Sequence, residues 1–157
     1  MVHTFFSPSR LKSLAAVTLI AFLAGCAGAG LSVKAANDGL FVFGAQLGVA
    51  GIPDGLAGVL SEETPCLKGR DFSYDAREVL IGYGHDGKIR KVTTRNPGTS
   101  VYGIRPGDEF ATAEPKVLAA GFRETGAKHR YGNEGCLLTL SVDEAGRLFA
   151  LMLELRD

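Results

Sequence analysis

Histidine and cysteine are the residues in this sequence whose side chains are most suited to catalysis or metal binding. His85 and Asp86 have the composition of half a catalytic or metal site, but Asp-Gly in this segment is a favoured hairpin turn. His129 lies between two basic residues, whose charges disfavour a bound cation. We therefore predict no metal, no cofactor and no catalytic residue. The sequence accordingly predicts a protein that is not an enzyme.

Cys66 and Cys136 form a pair in a chain that carries only three cysteines. In an exported protein an even number of cysteines indicates a disulfide, so we predict a bond between these two residues. Two alternatives stay open at this point: a pair of buried thiols, or a nucleophile. The nucleophile is disfavoured because no histidine-containing triad can be recognised around either residue.

The third cysteine, Cys26, follows a segment with the features of an export signal. A basic start is succeeded by an apolar run of about a dozen residues, which is too short to span a membrane. The residues LAGC, 23–26, resemble the lipobox of bacterial lipoproteins. That resemblance implies a signal peptide at residues 1–25 and acyl chains on Cys26. The alternative is a signal peptide cleaved near "AGA", with an incidental cysteine.

The lipoprotein resemblance also implies a location. Ala27 is not the aspartate that tends to retain enteric lipoproteins at the inner membrane, so the periplasmic face of the outer membrane is favoured. Two acyl chains suffice for stable attachment to a bilayer. Residues 26–38 are rich in alanine and glycine, and we predict a flexible tether there. The predicted partners are therefore the membrane, through the anchor, and an envelope protein.

Composition sets the size and the charge of the mature protein. About 130 residues remain after the signal, which is the size of one domain. Basic and acidic residues balance at 17 each, and the signal carries two bases and no acid, so the mature chain is slightly acidic. That balance argues against nucleic-acid binding.

A repeat with a period of 59 residues divides the mature chain. Phe43 to Gly48, "FGAQLG", corresponds to Tyr102 to Gly107, "YGIRPG", and alternating apolar positions correspond in the same register. We predict a first repeat at residues 39–97 and a second at 98–157.

Each repeat is predicted to contain a helix followed by an antiparallel hairpin. The helix candidates are "PDGLAGVLSEE" in the first repeat and "DEFATAEPKVLAAGF" in the second, with Asp108 as a cap and Pro115 as a kink or a start. The hairpins are marked by Asp86-Gly87 and by a longer turn ending at Gly146. The predicted fold class is α+β: two tandem helix-plus-hairpin repeats that form one sheet of four to six strands, with both helices on one face.

A family resemblance rests on three short motifs. These are the entry motif "YGIRPGD" at 102–108, the helix end "AGF", and the turn "DEAGR". Together they resemble the superfamily that contains the BamE (SmpA/OmlA) lipoproteins and the β-lactamase inhibitor protein. The first repeat departs from the motif, with Val49 in place of the aspartate. The resemblance implies a fold and a habit of binding proteins, and it assigns no binding residue.

The predicted function is that of a lipid-anchored protein-binding module, as an envelope assembly factor or an inhibitor. Tyr83, Lys88 and Arg90 around the first hairpin are the candidate contacts, because the turn projects them outward. Alternatively, the basic side chains Lys88 and Arg90 belong to an ordinary solvent-exposed face. A further alternative is that they contact anionic lipid headgroups. The alternative function is a periplasmic small-ligand carrier or an enzyme of unrecognised type.

Overall fold

Antiparallel strands dominate residues 28–156, the part of the chain that the computed structural model describes. There are two helices, α1 (Gly28–Asp38) and α2 (Phe110–Ala119), and two 3-10 turns, Asp54–Leu56 and Asp75–Arg77. The strands are β1 (Leu40–Phe41), β2 (Glu62–Cys66), β3 (Gly69–Tyr74), β4 (Val79–Gly84), β5 (Ile89–Thr94), β6 (Ser100–Val101), β7 (Arg123–Glu124), β8 (Arg130–Gly132), β9 (Cys136–Val142) and β10 (Leu148–Leu155).

Eight of the strands form one antiparallel sheet in the order β2-β3-β4-β5-β10-β9-β8-β7, and β1 pairs with β6 in a second sheet. The predicted fold class is therefore wrong. The described chain is mostly β, with two short helices, rather than an α+β layer with a helix from each repeat on one face. The two hairpins are confirmed, because the turns at Gly87 and Gly146 join β4 to β5 and β9 to β10.

The helix predicted in the first repeat is replaced by the 3-10 turn Asp54–Leu56 and by irregular chain. Glycine explains the difference. A Cβ on Gly55 would lie 2.9 Å from the carbonyl oxygen of Phe43, and Gly58 has a φ of +74°. The backbone here therefore approaches its neighbour closely and then turns left-handed, and neither feature fits a continuing α-helix.

Helix α2 forms where the second repeat predicts a helix, but its details differ. Pro115 lies inside the helix rather than at its start, and the N-cap is Glu109 rather than Asp108. The Asp108 carboxylate instead accepts the backbone N–H of Arg105 at 3.0 Å, so it closes the preceding turn. The helix ends before Gly121, whose φ of +91° is typical of a glycine after a helix C-terminus.

Helix α1 occupies most of the segment predicted to be a flexible tether. The prediction rested on the small residues of 26–38 and missed two long-range hydrogen bonds. The Asn37 side chain accepts the backbone N–H of Leu47 at 2.7 Å and donates to the Leu47 carbonyl at 3.1 Å. Ala36 is fully buried. These contacts fasten the end of α1 to the domain.

The two hairpins make the same backbone hydrogen bonds to the chain before them, 59 residues apart. The N–H of Gly48 donates to the Ile89 carbonyl, and the N–H of Gly107 donates to the Leu148 carbonyl, both at 2.7 Å. The return bonds, onto the carbonyls of Val49 and Asp108, are both 2.9 Å. The central pairing of β5 with β10 therefore joins two similarly built halves, and the boundaries at 39–97 and 98–157 stay a prediction.

One face of the large sheet supplies the hydrophobic core. Alternate residues such as Val79, Ile81, Leu138 and Leu140 are buried in a single cluster, which also includes Ala36 and the following side chains of the connecting segments: Val42, Leu47, Leu56, Ile104, Val117 and Phe122. Because side chains alternate across a strand, the remaining positions point to the opposite face. We call that opposite side the open face.

Candidate functional site

The open face carries two rows of side chains that cross the sheet. The register of the paired strands aligns them from strand to strand. The first row is Glu62, Ser73, Leu80, Thr93, Met152, Thr139 and Arg130. The second row is Thr64, Asp71, Gly82, Lys91, Glu154, Leu137, Gly132 and Arg123. Neighbouring strands lie about 4.8 Å apart, so the six strands from β3 to β8 span about 24 Å.

Two ion pairs order the charges on the open face. Lys91 Nζ lies 3.0 Å from Asp71 Oδ2, and Arg130 Nη2 lies 2.7 Å from Glu154 Oε1. Lys91 and Glu154 are also directly opposite each other in the pairing of β5 with β10. Negative and positive groups therefore alternate across the middle of the sheet, and a partner needs the complementary order of charges.

A glycine makes the first of these ion pairs possible. The Lys91 side chain crosses β4 at Gly82 to reach β3, and a Cβ on Gly82 would lie 2.8 Å from Asp71 Oδ1 and 2.9 Å from Lys91 Cε. Any larger residue would occupy the path of the lysine. The sequence analysis missed Asp71, Lys91 and Glu154, since their proximity depends on strand order and register. A glycine within an otherwise apolar strand was the available signal.

A groove of about 750 Å³ lies at one end of the open face. The bottom is formed by β3, β4, β5 and β10, and the sides by two hairpin tips. Its lining combines the charged side chains Asp71, Lys91 and Glu154 with Leu67, Leu155 and glycine backbone. Such a mixed surface suits an amphipathic partner, since apolar contact and charge complementarity are both offered.

All three candidate contacts lie at the groove end of the molecule, and Tyr83 and Arg90 line the groove itself. Lys88 is exposed in the β4–β5 turn, and Arg90 is an exposed bulge residue of β5 that lines the groove. Arg90 Nη2 lies 3.2 Å from Asp86 Oδ2. The backbone N–H of Lys88 and the Arg90 guanidinium both lower the pKa of the Asp86 carboxyl.

Tyr83 is placed differently from the other two candidates. Its ring packs on Phe72, with ring centroids 4.9 Å apart, and its hydroxyl donates to the Gly51 carbonyl at 3.1 Å. It is half-buried at the border of the core, and burial raises the pKa of its phenol. The ring and the hydroxyl are thus engaged within the domain, so an outward-projecting Tyr83 is not what the structure shows.

The predicted disulfide between Cys66 and Cys136 is absent from the described chain, where both thiols are free. Cys66 is exposed on β2, while Cys136 is buried on β9, and four strands lie between them. That separation is about 24 Å, whereas a disulfide requires Cα atoms within about 7 Å. The disulfide prediction is therefore wrong. Burial raises the pKa of the Cys136 thiol to about 11.

The remaining chemical candidates are dispersed. His85 Nε2 lies 3.3 Å from the Leu67 carbonyl oxygen, and the His129 ring packs edge-on against Phe110 with centroids 4.4 Å apart. Within residues 28–156, no group of three potential metal ligands comes together.

The predicted lipidation site, Cys26, lies outside the described residues. In the described part, no helix is long and apolar enough to cross a membrane.

A smaller cavity of about 270 Å³ lies in the second half, beside α2. The Tyr131 hydroxyl donates to Glu114 Oε1 there at 2.6 Å, and burial, together with that carboxylate, raises the pKa of the phenol. Glu124 and Lys128 also line it, so side chains of both charges surround the cavity.

Comparisons with known proteins give no relative for this chain. No protein-family model, no curated protein and no solved structure matches it. The resemblance to the BamE and β-lactamase inhibitor superfamily therefore stays a prediction from short motifs, and the function has to be argued from the site.

Proposed function

We propose that this chain is a lipid-anchored protein-binding module of the bacterial cell envelope, which binds a protein partner on the open face and catalyses nothing. The anchor is Cys26, and the proposed location is the periplasmic face of the outer membrane. The LAGC sequence after an export signal supports the anchor. The function rests on one structural observation, the ordered charge rows on an open face about six strands wide.

The open face supports protein binding because of what it displays. Its central positions, Leu80, Thr93 and Met152, are only partly buried. Apolar and hydroxyl groups at the centre with charges around them match the anatomy of a transient protein interface. Electrostatic complementarity with the alternating charges would set the orientation of the partner.

The edges of the large sheet are poorly suited to binding by strand addition. At one edge β2 carries Glu62, Glu63 and Pro65, which are residue types that block pairing with another strand. At the other edge β7 is two residues long. A partner is therefore expected to contact the face of the sheet rather than extend it.

A charge swap on the open face tests this proposal. In the double variant Asp71→Lys, Lys91→Asp the internal ion pair is kept, but the charge order seen by a partner is reversed. We expect normal folding and at least tenfold weaker retention of the envelope protein that the wild type carries through gentle solubilisation. The matched control is Lys34→Asp, Asp38→Lys, which swaps an exposed pair on α1. Equal retention by both double variants would rule out the open face.

The anchor has its own test. Metabolic labelling with an alkyne fatty acid should mark the wild type and the control Cys66→Ser, and should leave Cys26→Ser unmarked. Labelling of Cys26→Ser at the wild-type level would contradict the anchor.

A small-ligand carrier is the second candidate, and the volume of the groove favours it. About 750 Å³ lies within the range of small-molecule sites. The groove is open along the sheet, however, and its three lining carboxylates, Asp71, Asp86 and Glu154, already have basic partners. A metabolite that raises the melting temperature of the wild type, with no envelope protein retained, would replace the binding-module proposal by this one.

A further inference from the structure

Two hairpin tips lie next to each other at the groove end of the sheet. Leu67 and Lys68 form the two-residue turn between β2 and β3, and residues 85–88 form the turn between β4 and β5. Because Gly69 pairs with Gly84, both turns project from the same end. His85 Nε2 lies 3.3 Å from the Leu67 carbonyl oxygen, which can only accept, so a hydrogen bond ties the tips together.

Leu67 is the most exposed large apolar side chain in the described part of the chain, at 95% of its full area. It stands at the apex of a turn, where the fold requires no leucine, since turns favour small and polar residues. Lys68 in the same turn and Lys88 in the adjacent turn are exposed and basic. An apolar tip beside basic side chains matches a membrane interface, where the apolar group enters the bilayer and the bases meet anionic headgroups.

The other charges at this end do not cancel that pattern. Asp86, the acid within the β4–β5 turn, is paired with Arg90. Arg156 follows β10 at the same end, and its guanidinium lies 3.4 Å from the Asn133 carbonyl oxygen. Asp71 and Glu154 line the groove at this end and are paired with Lys91 and Arg130. Glu134 lies in the β8–β9 turn, two strand positions from β5 along the sheet.

The middle of α1 lies close to the base of the β4–β5 hairpin. A Cβ placed on Gly48 would be 3.6 Å from Val33 Cγ1, and the N–H of Gly48 donates to Ile89, the first residue of β5. Cys26 is seven residues before Val33. Seven residues reach at most about 25 Å, so an acylated Cys26 would hold the base of the β4–β5 hairpin within that distance of a bilayer.

We infer that the two hairpin tips rest on the membrane that holds the anchor, with Leu67 inserted among the lipids and Lys88 at anionic phosphate headgroups. This inference rests on the proposed acyl anchor and adds an orientation to it. The groove then opens just above the bilayer surface. The partner of the open face is accordingly a protein that is embedded in that membrane or lies against it.

The absence of tryptophan from the sequence gives a direct test. In Leu67→Trp the new residue is the only tryptophan, and at an exposed turn it leaves the fold intact. The acylated full chain is reconstituted into vesicles of equal parts phosphatidylglycerol and phosphatidylcholine. We expect a blue-shifted emission that brominated acyl chains quench. The matched control is Ala145→Trp, an exposed turn residue at the opposite end, which should keep a water-like emission.

The charge contribution is tested on the same reporter. Lys88→Gln in the Leu67→Trp background should lower the ratio of inserted to exposed tryptophan about fivefold, as expected for one basic residue near an anionic surface. Arg147→Gln, an exposed change at the opposite end, should leave the ratio unchanged. Vesicles of phosphatidylcholine alone should show less insertion than the anionic vesicles.

Failure of the inference and failure of the anchor give different results. A mass spectrum reports the acyl chains on Cys26 directly, whatever the tip does. If the tryptophan of the anchored Leu67→Trp protein stays water-exposed, or if its emission shifts only when envelope proteins are present, the membrane contact is wrong. If the acyl chains are missing, only the proposed anchor is contradicted. The tryptophan emission is then measured after the same protein is added to the vesicles. An unshifted emission in that measurement overturns the inference.

Discussion

The first half of the chain, residues 39–97, and the second half, residues 98–157, build equivalent strands but different connecting segments. The hydrogen bonds from Gly48 and Gly107 to the following hairpins have the same geometry. Between those glycines and the strands, the first half has only the short turn Asp54–Leu56, whereas the second half has the ten-residue helix α2. The pairing of β4 with β5 and that of β9 with β10 thus share one register, whereas the outer strand pairs and the segments above the sheet differ between the halves.

That difference shows which residues the fold depends on in each half. In the first half, glycines allow close backbone approach, as at Gly55 and Gly69. In the second half, the positions 59 residues later carry the side chains Glu114 and Lys128. The backbone of the first half therefore excludes side chains at positions where the second half accepts them. Substitutions at corresponding positions of the two halves measure this difference in tolerance.

The largest effect is expected at Gly69. A Cβ there would lie 1.9 Å from the Tyr83 carbonyl oxygen, and its φ of +147° is in the region that favours glycine. Gly69→Ala must separate β3 from β4, so we expect a loss of about 3 kcal/mol or more in the free energy of unfolding. Lys128→Ala, at the corresponding exposed position, should change it by less than about 0.5 kcal/mol. Denaturant titration measures both, and similar losses would contradict the asymmetry.

A smaller effect is expected from two threonines with opposite hydrogen bonding. The buried Thr94 hydroxyl lies 2.7 Å from Thr99 Oγ1 and accepts the N–H of Asn96 at 3.1 Å, whereas the buried Thr139 hydroxyl has no partner in the described chain. Thr94→Val should cost about 1–2 kcal/mol, since it orphans buried groups, and Thr139→Val should be neutral or stabilising. The reverse order in thermal unfolding would show that the bonding pattern is misassigned.

The smallest effect is a pH dependence carried by Cys136, whose counterpart 59 residues earlier is the exposed Arg77. Burial raises the pKa of the folded thiol from 9.0 to about 11. Unfolded chains lose this proton first, so stability is complete below about pH 9 and falls as pH rises towards about 11. Cys136→Ala should be less stable at neutral pH but should show a shallower fall over this range. Parallel pH profiles for the two proteins would count against a buried, protonated thiol.

The strands were predictable from the sequence, whereas their order in the sheet was not. Alternation at Val79, Ile81 and Tyr83 and the Asp-Gly turn depend on local chemistry, so the hairpins were found correctly. The disulfide failed because the distance between Cys66 and Cys136 depends on the strand order, which no local pattern encodes.

The errors in the helices have a similar cause. Helix α1 was missed because its end is held by bonds between Asn37 and Leu47, ten residues away. The helix expected at residues 53–63 was prevented by the close approach of Gly55 to Phe43, which a composition of small apolar residues does not reveal. On the candidate site, the sequence named Tyr83, Lys88 and Arg90 around the first hairpin, which lies at the groove end. Asp71, Lys91 and Glu154 were missed because their proximity depends on the register.

The central claim, that a protein binds on the open face, is tested most directly by site-specific photo-crosslinking in intact cells. A photoreactive amino acid is placed at Thr93, at the centre of the face, and at Glu144, an exposed turn residue away from it. We expect a discrete crosslinked protein from position 93 and none from position 144. An anchored and folded chain that yields no adduct from position 93, or the same adducts from both positions, would contradict the account.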